Sequence, residues 1–522
     1  MKFSVIDIIV FLIYCAIVAF VGYTVSRKVN RKKDTKSYFF AGNTLPWYLV
    51  GSSIIAANIS AEQFIGMSGS GFAMGLAIAT YEWLAAIMLV MVAIWFLPVF
   101  IGKKIYTMPQ FLEVRYNHRI KTVLAIFWFF LFIFVNLTSI LYLGALSLKT
   151  VFGIQLGYAI AGLAVFSLLL TVGGGLKTIA NTDVIQVVFL VLGGLTTTYF
   201  ALNTVSGGDG VLSGLSIMMK EAPEKFHMIL PRSDPNYRYM PGIRSILGGI
   251  WIAGIYYFGA NQYIIQKALG SKNLKEAQRG MLFAGYLKLI IPLLVVLPGI
   301  AAFVLHADLS KPDEAYPWLL DRFIPSGVKG FVFAALIAAI VSSLAAIINS
   351  ASTIFSIDIF KVHFRPQSSE ENLVNTGRIC SVIVVAIASL MASFLTNIEQ
   401  VFQFIQEYTG LVSPGITAMF ILGIFWKRTT ARAAWIAVLI TLPVPLALKF
   451  IFPQMPFLDN MVISFLIISV QMIMVSLFGK KDTNGKPEWE IPAGFFRNSD
   501  RLFKWLSLVI VLILLIIYSI FW

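Results

Sequence analysis

The chain has 522 residues, of which 58 % are hydrophobic and only 12 % charged, with a formal charge of +15. That charged share is about half of a soluble domain's, and the mean hydropathy is +0.83, so a soluble enzyme or a disordered chain is excluded and an all-α polytopic membrane protein remains. A basic excess in a soluble protein would point to nucleic acid; here cytoplasmic loops rich in Lys and Arg explain it, and no nucleic-acid partner is expected.

Fourteen apolar runs meet the length of about 17–25 residues that a membrane helix needs. They lie at roughly 4–26, 45–70, 75–102, 122–148, 155–176, 183–203, 242–268, 278–306, 327–360, 374–397, 400–425, 430–452, 457–479 and 502–521. The first is too long for a signal-peptide core and reads as a retained span. Of the 40 Lys and Arg, 28 fall in one set of alternate loops, 11 in the other, and Lys288 inside a span. The positive-inside rule then places the richer set in the cytoplasm and both termini outside. The longest outer loop is 204–241, and 480–501 reads as a cytoplasmic linker. Cys15 and Cys380 both fall within spans, so no disulfide framework is implied. No Walker loop, dinucleotide fingerprint or metal-spaced His/Cys set appears, which leaves neither ATP-driven pumping nor enzyme chemistry any machinery.

The run at 45–70 contains "IIAANISAEQFIG", which places Asn58, Ser60, Glu62 and Gln63 at membrane depth. Such groups are costly there unless something satisfies them. Small residues with Ser and Asn favour a break, and the carbonyls a break frees must line a cavity or hold an ion. The run at 242–268 is similar, with Gly248, Gly249, Gly254, Gly259, Asn261 and Gln262. Two interrupted spans five apart suggest an inverted-repeat transporter with its sites near the midplane; close packing through small residues is the alternative. In the Ala- and Ser-rich run 327–360, Ser342 and Ser343 with Ala339 one turn earlier make a hard-oxygen set suited to an alkali cation. Self-capping of the two hydroxyls on their own helix is the plainer reading. Glu82 and Lys288 are intramembrane charges, functional by default or else a structural pair. Gln406 and Asp183 lie nearer span ends. Amides and charges beside the rings of Tyr81, Trp83, Tyr256, Tyr257 and Phe258 describe a site for a neutral polyhydroxyl ligand.

The blocks "AANISAEQFIGMSGSG", "YEW", "NQYIIQ", "VVLPGIAA", "AAIVSSLA", "IQEYTGLVSPGI" and "TVGGGLKTIANTDVIQ" resemble the solute:sodium symporter family, and most closely its bacterial sodium/galactose (sodium/glucose-type) branch. The resemblance runs in order from the first span to the last. It implies 14 transmembrane helices with a leucine-transporter-like 5+5 inverted-repeat core. The parts would be an extra helix and cytoplasmic loop at 1–44, a first repeat at 45–203, the loop 204–241, a second repeat at 242–425 and three further helices at 426–522. It implies a sodium ion held by carbonyls of Ala56, Ile59 and Ala339 and hydroxyls of Ser342 and Ser343, with Asp183 nearby on the cytoplasmic exit. It implies sugar contacts from Gln63, Glu82, Lys288 and Gln406, with Asn58 and Asn261 close by. Tyr257 would be an inner gate, and Met67, Tyr81 and Phe402 an outer one.

Three positions depart from the galactose pattern. Gly254 stands where an Asn is expected, Ala85 where a Ser is, and Phe258 where a Trp is. Losing an amide and a hydroxyl removes about 0.5–1.5 kcal/mol of hydrogen bonding each, and Gly254 is expected to leave room for a bulkier ring substituent. The reading is a sodium-coupled hexose symporter working by alternating access with one sodium per sugar, a monomer or weak homodimer in the bilayer. One sodium follows because Leu344, Ala345 and Ala346 after Ser343 offer no side-chain oxygen to a second. The alternative is a sodium symporter for a sialic acid, amino acid or vitamin; an anionic solute would want a pocket Arg, and Glu82 opposes it. A proton-coupled carrier would need Asp183 or Glu82 to titrate, and a sensor would need an output domain.

Overall fold

Each of the fourteen apolar runs is helical over most of its described residues. The structure, a computed structural model, describes residues 4–30, 34–395, 401–479 and 499–522; nearly all of the linker expected at 480–501 lies outside them. The helices, in order, are α1 (Val5–Asn30); α2 (47–74), which runs Trp47–Asn58, breaks, and resumes as Glu62–Met67 and Ser68–Met74; α3 (Thr80–Trp95, continued by Leu97–Gly102); and α4 (118–152). Then come α5 (156–174) and α6 (176–205), the two arms of Leu156–Val205; α7 (245–269), broken at Asn261; α8 (Leu274–Val304); and α9 (Lys329–Thr353, extended to Phe364). The last five are α10 (Glu370–Ala392), α11 (401–425), α12 (431–451), α13 (Phe457–Phe478) and α14 (Arg501–Ile520).

Among the described residues, nine continuous helical stretches are long and apolar enough to cross a membrane, or ten if α12, bent by 40°, counts as one. Leu156–Val205 carries two expected runs, and Glu62–Gly102 joins the second arm of α2 to α3. α7 and α11 reach spanning length only as broken pieces. The fold of α5 onto α6 has a local cause. Gly175 sits at φ 57°, ψ −151°, and a Cβ there would lie 2.1 Å from the carbonyl oxygen of Tyr38. Only glycine tolerates both.

Contacts between loops sort the molecule into two faces. On one, Asp7 Oδ1 accepts the N–H groups of Gly327 and Gly330, each at 2.8 Å, and Gly69 packs against Asp313. Lys225 Nζ donates to the carbonyl of Ala73 at 2.7 Å and lies 4.1 Å from the centre of the Phe303 ring. The Met228 N–H donates to the Phe521 carbonyl at 2.8 Å, and Arg244 pairs with Asp459 at 2.8 Å. On the other face Thr35 N–H donates to Glu370 at 3.2 Å, Arg279 pairs with Asp500, and Arg115 donates to the Trp426 carbonyl at 2.9 Å. For the loops these contacts join, the grouping follows the alternation read from Lys and Arg, and the first and last described residues share a face. α9 runs through the middle, buried nearly all round, because its Ala and Ser side chains let neighbouring backbones close in.

Candidate functional site

The break in α2 is built by its own side chains. Ile59 is extended, at φ −83° and ψ 104°. The Ser60 N–H, which in an unbroken helix would bond the Ala56 carbonyl, donates instead to Gln63 Oε1 at 2.9 Å. In return Ser60 Oγ accepts the Glu62 N–H at 3.1 Å. This is a reciprocal cap of the Ser-x-x-Gln kind, formed in mid-membrane. The Gln63 N–H turns to the Ser60 carbonyl at 3.2 Å, away from that of Ile59. The carbonyls of Ala56 and Ile59 are thus released from the ladder.

On one side of the break lies a cavity lined by residues of α2, α3, α7, α8, α11 and α13. Of the residues nominated from the sequence, Asn58, Gln63, Tyr81, Glu82, Tyr257, Phe258, Lys288, Phe402 and Gln406 line it, as do Ala85 and Gly254. Glu82 and Lys288 are buried and paired at 2.5 Å, and the Lys288 ammonium lies 5.7 Å from the centre of the Phe258 ring. Tyr81 meets Phe402 edge to face with centroids 5.8 Å apart. Tyr263 donates its hydroxyl to that of Tyr257 at 2.7 Å. The lining reaches Phe457 and Met461 in the first turns of α13, so the mouth opens toward the face that holds both chain ends.

On the other side of the break lie residues that the sequence nominated for a cation. Ser343 Oγ donates to the freed Ala56 carbonyl at 3.2 Å. Ser342, one residue earlier and about 100° round the helix, donates to Asp183 Oδ1 at 2.5 Å, so the two hydroxyls face different helices, α2 and α6. Ala339 is fully buried one turn before. Neutral carbonyl and hydroxyl oxygens of this kind suit a small hard cation. Asp183 also receives the Ser53 hydroxyl and has the Lys267 ammonium at 3.5 Å; it is fully buried beside the cage.

Other nominated residues stand apart. Asn261 caps the second arm of α7 with its backbone, accepting from Ile264 and Ile265, and it does not line the cavity; Met67 is buried outside the lining too. Trp83 points away and donates to the Leu289 carbonyl at 3.2 Å, and Tyr256 is fully buried outside the lining. The room expected at Gly254 is filled: a Cβ there would lie 1.9 Å from the sulfur of Met88. Glu62, singled out in the sequence but given no role there, also lines the cavity, and Met88, Ile250, Ala253, Thr409, Gly410, Phe457 and Met461 line it without having been nominated. Glu62 had a signal, a carboxylate inside an apolar run; Met88 and Thr409 had none.

Two helices broken at membrane depth, with polar groups gathered at the first break, define a secondary transporter. The sodium:solute symporter family model matches residues 38–441, and the chain belongs to that family. It is 51 % identical to the sodium/glucose cotransporter of Vibrio parahaemolyticus, over 99 % of this chain and 98 % of that one. It is 33 % identical to sodium/myo-inositol cotransporter 2 of Sus scrofa, over 86 % of this chain and 71 % of that one. Among solved structures, a Na+-coupled sialic acid symporter in a substrate-bound outward-open state superposes with a TM-score of 0.82 at 24 % identity, covering 92 % of this chain and 99 % of that one. Mhp1, a nucleobase-cation-symport-1 transporter, gives 0.54 at 15 % identity, over 84 % and 94 %. The fold is thus the leucine-transporter type with a five-plus-five inverted-repeat core. The chain is a sodium-coupled symporter and not an enzyme.

Proposed function

We propose that the solute is a neutral hexose, carried into the cell with one sodium ion by alternating access. The observation that carries this is the shared break: Ser60 and Gln63 release the Ala56 carbonyl toward Ser343 on one side, while Gln63 and Asn58 line the cavity on the other. An ion that draws these carbonyls together orders the groups that meet the sugar, and the coupling is reciprocal. Two carboxylates, Glu62 and Glu82, against one ammonium, Lys288, suit hydroxyls and oppose an anionic solute such as a sialic acid. The relatives' names, a glucose and an inositol cotransporter, support a neutral polyol. One charge crossing 100 mV supplies about 2.3 kcal/mol, and a tenfold sodium gradient about 1.4 kcal/mol. Together they concentrate a neutral sugar roughly 500-fold.

In this reading the repeats are 45–203 and 242–425, the sodium ligands are Ala56, Ile59, Ala339, Ser342 and Ser343, and Tyr81 with Phe402 closes the mouth above the sugar. Both termini are extracytoplasmic in a bacterial plasma membrane, and the working unit is a monomer or weak homodimer. The test is uptake into proteoliposomes with a panel of hexoses and inositol competing against one labelled sugar. Uptake indifferent to replacing sodium by choline would sink the coupling; competition by sialic acid alone would sink the sugar. Leaving Glu82 or Lys288 alone in the cavity costs about 3–5 kcal/mol, so either single Ala variant loses uptake by more than about 100-fold. If the two were only a structural pair, Glu82→Leu with Lys288→Leu would restore it.

A further inference from the structure

The cavity has two unlike walls. Gln63, Glu82, Lys288 and Gln406 furnish one with charges and amides. The other stands where α3 meets the first arm of α7. Ala85 and Met88 lie one turn apart on α3, and Ile250 lies one turn before Ala253 and Gly254 on α7. Among these five side chains there is no hydrogen-bond donor, and the one acceptor is the weak thioether of Met88. Both backbones are α-helical here, so their N–H groups are already engaged within the helices. Met88 completes the wall. A Cβ at position 254 would lie 1.9 Å from its sulfur, so with glycine there the thioether occupies the place that a side chain of α7 would take.

A hydroxyl pressed against such a wall gives up its water without finding a partner. A sugar that bears a hydroxyl on every carbon therefore has no edge that suits it. In a hexopyranose one carbon projects from the ring, as a hydroxymethyl group. With a methyl in its place, the ring hydroxyls remain for the polar wall and a single apolar group is left for the other. We propose that the preferred solute is a deoxyhexose ending in such a methyl group, seated against Ala85, Met88 and Gly254, and that Met88 sets the preference. The proposal rests on the sodium-driven hexose uptake argued above and narrows its substrate. A thioether suits the task, because it is polarizable and its unbranched chain adapts to the group it meets. The discrimination has a ceiling: an apolar pocket rejects an added hydroxyl by about 100-fold at most. An inositol, hydroxylated all round, fits least well.

The experiment is sodium-driven uptake of labelled glucose by proteoliposomes holding the full chain, with matched competitors: quinovose against glucose, and D-fucose against galactose. Each pair differs by one hydroxyl. In the wild type the deoxy member of the better-bound pair inhibits at a concentration about tenfold below its parent. Met88→Gln, which keeps the length and replaces the thioether by an amide, brings that ratio to within about twofold. Met88→Leu keeps the wall apolar and keeps the ratio. Equal competition within both pairs in the wild type overturns the proposal while leaving hexose symport intact. Inhibition by no sugar at all overturns the underlying reading instead. A ratio that survives Met88→Gln removes Met88 from its role. If Met88→Gln gives no sodium-driven uptake, Ala85→Ser places one oxygen on the same wall a turn earlier, and a ratio that it leaves unmoved overturns the proposal as well.

Discussion

α2 and α7 break at matching places in the chain order, and their sequences look alike there: small residues, an Asn, a Gln. The two breaks are nonetheless different devices. In α2 the side chains of Ser60 and Gln63 cap the restart, and the carbonyl they release meets a hydroxyl of α9. In α7 no side chain caps the restart, Asn261 Oδ1 is buried without a hydrogen-bond partner, and nothing in the structure accounts for that orphan. The side chains beyond the break look outward to the rest of the protein. Gln262 accepts the Met108 N–H at 2.8 Å, Gln266 ties the arm to α9, and Lys267 ties it to α6. One break presents ligands; the other anchors an arm. Composition shows that a helix is interrupted, and hydrogen bonding shows what the interruption is for.

The contrast can be broken experimentally, most sharply at α2. Gln63→Ala removes a cap worth about 1 kcal/mol and, in the proposed site, a sugar contact of similar size, so sugar uptake efficiency should fall about 30-fold, read as initial rates over sugar concentration. A change below threefold would mean that the break stands without its cap. Ser343→Ala, next in size, removes one oxygen from the cation side. The sodium concentration for half-maximal uptake should rise about tenfold, with the maximal rate at saturating sodium within about twofold of wild type. A fall in the maximal rate alone would make Ser343 a gate rather than a ligand.

On α7 the effects are smaller. Gly254→Asn drives a Cβ into the Met88 sulfur. Overpacking costs about 1–3 kcal/mol, and Met88 yields easily because its side chain is flexible, so uptake should fall about fivefold. Adding Met88→Ala should recover it and raise the preference for galactose in competition. Failure to recover would remove Met88 from the account. Asn261→Ala deletes no hydrogen bond of the side-chain oxygen and should change uptake by less than about twofold. A larger loss would mean that α7's break serves the solute directly, and the distinction between the two breaks would fall.

The helices and their breaks were legible in the sequence because the bilayer allows few alternatives: apolar runs must be helical, and polar interruptions must be satisfied. The alternation of faces was legible for the same reason, from Lys and Arg alone. What was not legible is rotation. Trp83 and Glu82 are neighbours in sequence, yet one lines the cavity and the other braces α8. Tyr256 and Tyr257 divide in the same way. Successive helical residues point about 100° apart, and which of them faces the cavity is set by the packing of other helices. The void expected at Gly254 failed for a related reason, since a distant residue, Met88, occupies it. Asp183 was found, but its partner Lys267, in the other half of the chain, was counted with the cytoplasmic loop charges.

Lys225 fixes the long 204–241 loop to the end of α2 and to α8 through two neutral groups, the Ala73 carbonyl and the Phe303 ring. Mobile ions weaken an exposed pair of opposite charges such as Arg244–Asp459 by gathering around each partner. A neutral carbonyl under a loop attracts no such atmosphere, and a cation over a ring is desolvated on one side. The loop therefore keeps its grip as salinity changes, which matters for a carrier whose fuel is salt itself.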